Sequence, residues 1–441
     1  MKYLKPTLAV VLLLAVIAIC CTKSDNKLPS FRLEKTDKFL FKSFVDCNMA
    51  EVWVADTFRI FPGKHGEDTL WGYSDNLRFG DGRNADEAFS RNFEELIQPK
   101  MPPNYKPGRI VPGGSGLDSV HGAVWFETVY QDERDKTGKT LYAVYHNENY
   151  PWNFPYNPAN GEGYIDKNWP VGLTGPQSPA AVCRIGIMKS VNGGHSWKNK
   201  GIFIEDLQPR MVLLPHNTSK TFAGGVGDPS AVASGDYLYL FYGEYGFPGV
   251  YDSATYNQAE EWTGQCISVA RIKIEDLDNP RGKARRWDGK GFNTSSTGFG
   301  SPIKSLQIPL DSGGGAASVV DKKFHWGPSV SWNTYLNCWV MMMGRVEHEK
   351  WAGSAIFISY NFNKDLGAGD NSQQWTKPQM VLNKPGHILW YPSLQPMNTP
   401  EDIANRHTCL KLGKRARLFF KDMEGPKSEY LSEYIIEFER P

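Results

Sequence analysis

Along this chain strand-like runs of apolar and aromatic residues, bounded by Gly, Pro, Asn and Asp, recur throughout, while helical periodicity is scarce. Such runs predict β-strands. They also recur as an ordered set, the mark of a repeat architecture. Asp228–Val232, Gly327–Ser331 and Tyr391–Gln395 share an X-Pro-Ser opening, and each leads to an aromatic or apolar run: Tyr237–Tyr242, Cys338–Met343 and Ala416–Phe420. Two further sets keep the order without Pro-Ser, namely Asp46–Val52 before Thr57–Phe61 and His121–Phe126 before Thr140–Tyr145. A third strand follows in three sets, Arg184–Ser190, Cys266–Arg271 and Ala355–Tyr360. After each comes a turn and a tryptophan: Trp197, Trp287 and Trp375. Gly201–Glu205 and Gln379–Leu382 read as fourth strands.

Five four-stranded antiparallel units in series predict an all-β fold, a five-bladed β-propeller with long inserted loops, whose radial closure hides most sheet edges. A β-sandwich with chance internal similarity is the competing architecture. Insertions interrupt the repeat at 62–118, 149–179 and 247–263. Loops of that length are uncommon unless functional, and these are expected to roof a pocket on one face. With no low-complexity linker in between, residues 33–441 read as one domain, and the last strand, Tyr434–Phe438, is expected to complete a blade begun near the N-terminus. The segment Ser190–Trp197 fits the Asp-box pattern S-x-[D/N]-x-G-x-S-W. Its small residues and Asn make a tight turn and its Trp packs between strands, so it marks a blade hairpin and carries no chemistry.

The N-terminus changes the picture of where the protein works. Lys2 and Lys5 precede an apolar run, Leu8–Ile19, that is short for a membrane span of about 20 residues. A polar stretch follows at once, which reads as a signal peptide over 1–21 and a linker over 22–32. Cys21, with Cys20 beside it, stands where lipoprotein precursors carry the lipidated cysteine, although the small residue usual before it is missing. The expectation is an exported cell-envelope lipoprotein, in the outer membrane or periplasm, held to the membrane by a lipid anchor alone. Lys+Arg 49 against Asp+Glu 48, without a basic block, argues against nucleic acid as a partner. Aromatic residues make up 13% of the chain, enough to supply stacking faces for sugar rings as well as β cores. Five cysteines remain after the signal at wide, irregular spacing, which argues against a disulfide framework or a zinc site. A monomer with no required cofactor is expected.

In a propeller the first residues of each innermost strand line the axial channel, and a site forms there. Those positions hold Asp46, His121, Asp228, His325 with Trp326, and His387 through Tyr391. Converging carboxylates are the equipment for glycosidic bond cleavage, one donating a proton to the departing oxygen and another activating water or attacking the anomeric carbon. Either aspartate could instead cap a strand or bind channel amides. The histidines could hold a channel metal or satisfy buried carbonyls. Asp56, just before a strand, reads as turn chemistry. His146 and Glu148, ending a second strand before a long insertion, read equally as substrate contacts or as a polar loop.

Gly227–Val232, followed by Asp236–Tyr242, resembles the Asp-Pro blade opening of five-bladed propeller glycoside hydrolases of the arabinanase, xylosidase, levanase and anhydro-galactosidase types. The resemblance implies an Asp on the first blade as base or nucleophile, matched by Asp46. It implies an Asp in the Asp-Pro motif that orients and tunes, matched by Asp228, and a Glu on the following blade as acid. There the chain departs: the family often carries Glu-Gly-Pro, and this sequence reads His325-Trp326-Gly327-Pro328. Some anhydro-galactosidase-type relatives use a histidine, which makes His325 the acid candidate, with Glu244, Glu148 and Glu347 as substitutes. Trp326, Tyr391, His121, His146, Glu148 and Arg345 are the expected substrate contacts. The relatives also carry a channel calcium, whose ligands are not identifiable here. The leading reading is therefore a glycoside hydrolase; a non-catalytic glycan-binding lipoprotein is the alternative and a sialidase-like enzyme the third.

Overall fold

The computed structural model describes residues 28–41, 45–62, 64–65, 74–76, 78–92, 95–100, 123–149, 182–206, 225–245, 265–308, 323–348, 351–369, 372–424 and 429–441. Expectations placed on Cys21, on His121 and on most of the three insertions lie outside these residues.

Five sheets follow one another in sequence, each built from its innermost strand outward. Blade 1 has Ala50–Val54, Thr57–Phe61 and Gly80–Gly82. Blade 2 has Ala123–Gln131, Leu141–Asn149, Val182–Ser190 and Lys198–Ile204. Blade 3 has Val226–Ser234, Tyr237–Glu244 and Cys266–Lys273, then two short strands, Arg285–Arg286 and Thr294–Ser295. Blade 4 has Phe324–Asn333, Cys338–Val346, Ala355–Asn361 and Gln379–Asn383, and Lys411–Leu412 runs parallel to its inner strand. Blade 5 has Leu389–Gln395, Arg415–Asp422 and Glu429–Glu439, and its fourth strand is the N-terminal Ser30–Phe41. The ring thus closes by pairing the two ends of the chain. The propeller expected from the repeat is present, with blades of three to five strands among the described residues. The third strand of blade 1 and the helix Ala85–Phe89 lie inside the segment read as an insertion.

Strand alternation explains how the blades stack. Along Tyr237–Glu244, Leu238 and Leu240 face blade 2 while Tyr239 and Phe241 face blade 4. The same division recurs at every blade, and five buried apolar clusters result, one per interface, including the closing contact of Phe41, Phe419 and Tyr430 with Trp53, Phe58 and Ile60. Trp197 fills the interface between blades 1 and 2, edge-on to Phe61 and Phe126. Its Asp-box is a structural turn: the Ser190 hydroxyl accepts from the Gly194 amide at 2.8 Å, and Asn192 Oδ1 accepts from the Ser196 amide at 2.9 Å.

The X-Pro-Ser openings have a common geometry. Each breaks the register of its inner strand, between Gly227 and Ser230, Trp326 and Ser329, and Trp390 and Ser393. The X residue has positive φ in all three: Asp228 47°, Gly327 62° and Tyr391 48°. Holding an Asp and a Tyr there costs about 1–3 kcal/mol each, a strain typical of functional sites. In blades 2 and 3 the hydroxyl behind the bulge clasps the next blade. Thr128 Oγ1 accepts from the Ala231 amide at 3.0 Å, and Ser230 Oγ from the Val330 amide at 2.9 Å.

Candidate active site

Side chains from all five blades meet at the mouth of the channel, and in blades 2 to 5 the inner strand carries a bulge there. Blade 3 supplies Asp228, whose carboxylate accepts from the Tyr245 hydroxyl and lies 3.3 Å from His146 Nδ1. The Asp228 amide also points at that nitrogen, at 3.2 Å. Gly227 makes this possible, since a Cβ there would come 2.7 Å from both the His146 and Tyr245 rings. Blade 2 supplies His146 and, from its own bulge between Phe126 and Thr128, Glu127. Glu127 is 1% exposed. Its Oε2 accepts from the Asn48 amide of blade 1 at 2.8 Å, and its Oε1 has no hydrogen-bond partner. Ligand atoms of Glu127, His146 and Asp228 all lie within 4.8 Å of one another. Asp46 of blade 1, partly exposed, is ion-paired at 2.6 Å to the buried Lys421 of blade 5.

Burial raises the Glu127 carboxyl well above the usual carboxylate range, and the nearby Asp228 charge raises it further. Burial works against charge on His146, but its contact with Asp228 outweighs that and the imidazole is raised. The Tyr391 phenol is pushed up by burial and then by Asp228, Asp46 and Glu127, which places it against all three acids.

Aromatic rings wall this cluster. Trp326 lies 5.1 Å from Tyr391 and 5.8 Å from Trp390, and Trp351 lies 6.1 Å from Tyr245. Their indole nitrogens are engaged by the protein: Trp326 donates to the Tyr245 hydroxyl, Trp390 to the Trp351 carbonyl and Trp351 to Gln265. The rings are thereby fixed before any ligand arrives. Asp46, Trp351 and Trp390 are the more exposed members and form the rim, while Glu127, His146 and Asp228 form the floor.

The structure therefore brings together Asp46, Asp228, His146, Trp326 and Tyr391 from the residues expected. Glu148 lies two residues beyond His146 on the same strand face, half-buried. His325 is elsewhere. It neighbours Trp326 on one strand and so faces the other way, with Nδ1 at 2.6 Å from the Leu306 carbonyl and its ring against Phe357. Burial lowers its pKa to about 4, which favours the uncharged ring, and the Leu306 carbonyl accepts the Nδ1 proton. Arg345, opposite His325 in register, shares that face and lies over Phe357. Glu244 is bound to Arg286, which also holds Asp206 at 2.7 Å. His387 pairs with Asp422 at 3.0 Å. Asp56 stands in the hairpin turn of blade 1, tied to Arg406.

Glu127, Tyr245, Trp351 and Lys421 were not found from sequence, whereas Trp390 falls within the His387–Tyr391 stretch expected at the channel. Glu127 had one available signal: it directly precedes Thr128, which takes the place of the Pro-Ser serine.

Two carboxylates and an imidazole at this spacing could hold a metal ion. They do not suit calcium, which takes about 6–8 oxygen ligands. Asp228 Oδ2, Glu127 Oε2 and His146 Nδ1 are moreover already engaged by Tyr245, Asn48 and the Asp228 amide.

No protein family and no curated protein matches the chain. Among solved structures, the fold resembles that of five-bladed propeller glycoside hydrolases. An α-L-arabinofuranosidase from Lactobacillus brevis aligns with a TM-score of 0.42 and 10% identity, over 91% of this chain and 90% of that one. An endo-arabinase from Bacteroides thetaiotaomicron aligns at 0.40 and 9%, over 92% and 96%. An exo-β-1,3-galactanase from Phanerochaete chrysosporium aligns at 0.43 and 8%, over 91% of this chain and only 64% of its own length. The fold assignment rests on the strand order described above.

Proposed function

We propose that the protein is a glycoside hydrolase whose chemistry is carried by Asp46, Glu127 and Asp228. The observation that carries this reading is the pairing of one lysine-bound carboxylate at the rim with one buried carboxyl below it, which burial and Asp228 push toward its protonated form. Hydrolysis of a glycosidic bond needs that division of labour. Asp46 activates water, and Glu127 gives its proton to the departing oxygen. Asp228, oriented by Tyr245 and His146, is a positioning residue that keeps the Glu127 proton in place. Trp326, Trp351, Trp390 and Tyr391 present ring faces to the sugar. The named activities of the structurally similar proteins point to furanose or galactan-type substrates.

Purified protein incubated with a panel of plant and algal polysaccharides releases new reducing ends on this reading. Asp46→Asn abolishes release while glycan affinity persists. Retained glycan binding with no release by the parent protein would instead favour the non-catalytic alternative. We also propose export as a lipoprotein, on the strength of Lys2, Lys5, the apolar run and Cys21. A Cys21→Ala chain expressed in a Gram-negative host should leave the membrane fraction; one that stays there through another anchor would count against lipidation at this residue.

A further inference from the structure

The channel has a second end. The site above uses the first residues of the inner strands; their last residues, Trp53, Gln131, Ala233 and Trp332, surround a cavity of about 410 Å³ at the opposite face. That lies within the ~300–1,000 Å³ range of small-molecule sites. Its remaining wall is an excursion the blades themselves do not require. Residues 396–414 leave blade 5 between its first two strands, form the helix Pro400–Ala404, and cross under the channel to pair Lys411–Leu412 with Trp332–Asn333. The excursion is fastened to blade 1 as well: Trp53 Nε1 donates to the His407 carbonyl at 3.0 Å, and the Cys409 amide donates to Glu51 Oε2 at 2.7 Å.

We propose that this basal cavity is a second sugar-binding site, independent of the catalytic reading, that takes an uncharged monosaccharide unit stacked on Trp332. Trp332 is the half-buried ring of the set, and Trp339 holds it edge-on at 5.0 Å, so its orientation is set in advance. Apolar ring faces next to a few convergent polar groups match a sugar, which offers a C–H face and a belt of hydroxyls. Glu51 at the floor is fully buried and holds the Cys409 amide, and burial raises its carboxyl well above the usual range, which disfavours a second buried charge beside it. The rim carries both signs. Arg406 is already paired with Asp56 at 3.0 Å, and the lining includes one further residue of each sign, Lys411 and Glu133.

The test uses the full chain carrying Asp46→Asn, to prevent turnover, titrated with D-galactose, L-arabinose, D-xylose and D-glucose. Binding is read by saturation-transfer NMR and tryptophan fluorescence. Trp332→Ala removes the stacking ring, and Ala233→Phe fills the cavity without removing any contact. The expected result is that at least one sugar binds and that both variants weaken it tenfold or more. In an otherwise unmodified chain, the same two changes leave reducing-end release within twofold. Binding that survives both changes, loss in Trp332→Ala alone, or no binding by any of the four sugars overturns the proposal. A parent chain that releases no reducing ends defeats the hydrolase reading and leaves this binding result to stand by itself.

Discussion

Two clusters of buried acid can be set side by side. Between blades 2 and 3, Glu244 and Asp206 share one guanidinium, Arg286, which is wholly buried and also donates to the Tyr242 hydroxyl at 2.9 Å. In the channel mouth, Glu127 and Asp228 face each other across a histidine, and the nearest lysine is bound to a third acid, Asp46. In both clusters burial raises a glutamate above its usual range. What differs is compensation. Where a buried carboxylate has an arginine, removing the partner harms the fold; where it has another carboxylate, their repulsion adds to burial in favouring the protonated form. A buried acid is thus not in itself a sign of catalysis, and Glu244, a reasonable candidate from its place after a second strand, belongs to the structural kind.

The sharpest way to break this contrast is at Glu127. Glu127→Gln should lower turnover by about 10²–10⁴, the usual contribution of general acid–base groups, without lowering the thermal midpoint. The folded-state pKa of Glu127 lies above its ordinary 4.5, so the folded chain binds the proton more tightly and stability falls as pH rises from 4.5 through the raised value. Calorimetry across that interval should show a shallower decline in the Gln variant. At the other cluster, Arg286→Met should cost about 3–5 kcal/mol in denaturant unfolding by stranding two acids, with activity retained well below the midpoint. A smaller effect is expected from Asp228→Asn. Removing that charge lowers the Glu127 pKa, so the alkaline limb of kcat/KM moves to lower pH in whatever activity remains. An unmoved limb would mean that Glu127 is not the acid. The smallest change is Ser230→Ala, expected to cost about 1 kcal/mol by loss of one inter-blade hydrogen bond, with no effect on the pH profile.

Much of the fold was legible because the repeat is chemical as well as hydrophobic. Pro-Ser recurs where a bulge must form, at Ser230 its hydroxyl also clasps the next blade, and Trp197 and Trp375 recur where an interface must be filled. Blade 2 hides the same device behind Glu127-Thr128. Without the proline its one-residue bulge is invisible, and the phase of alternation beyond Phe126 cannot be assigned. The same ambiguity set His325 in the channel: one residue along a strand exchanges the channel for the blade interface, and Trp326 took the channel. Lys421 and Trp390 come from the blade that the chain reaches last, so no local pattern links them to Asp46.

The direction of the strand that closes the ring has a topographic consequence. Ser30–Phe41 runs from the basal rim up toward Asp46, so the polypeptide joins the propeller on the side away from the catalytic opening. Nine residues from Cys21 to Ser30 can reach at most about 30 Å, less than the ~40 Å climb of that 12-residue strand. A lipid on Cys21 would stand the propeller upright on the bilayer, its catalytic opening directed outward at polymers too large to slip beneath it.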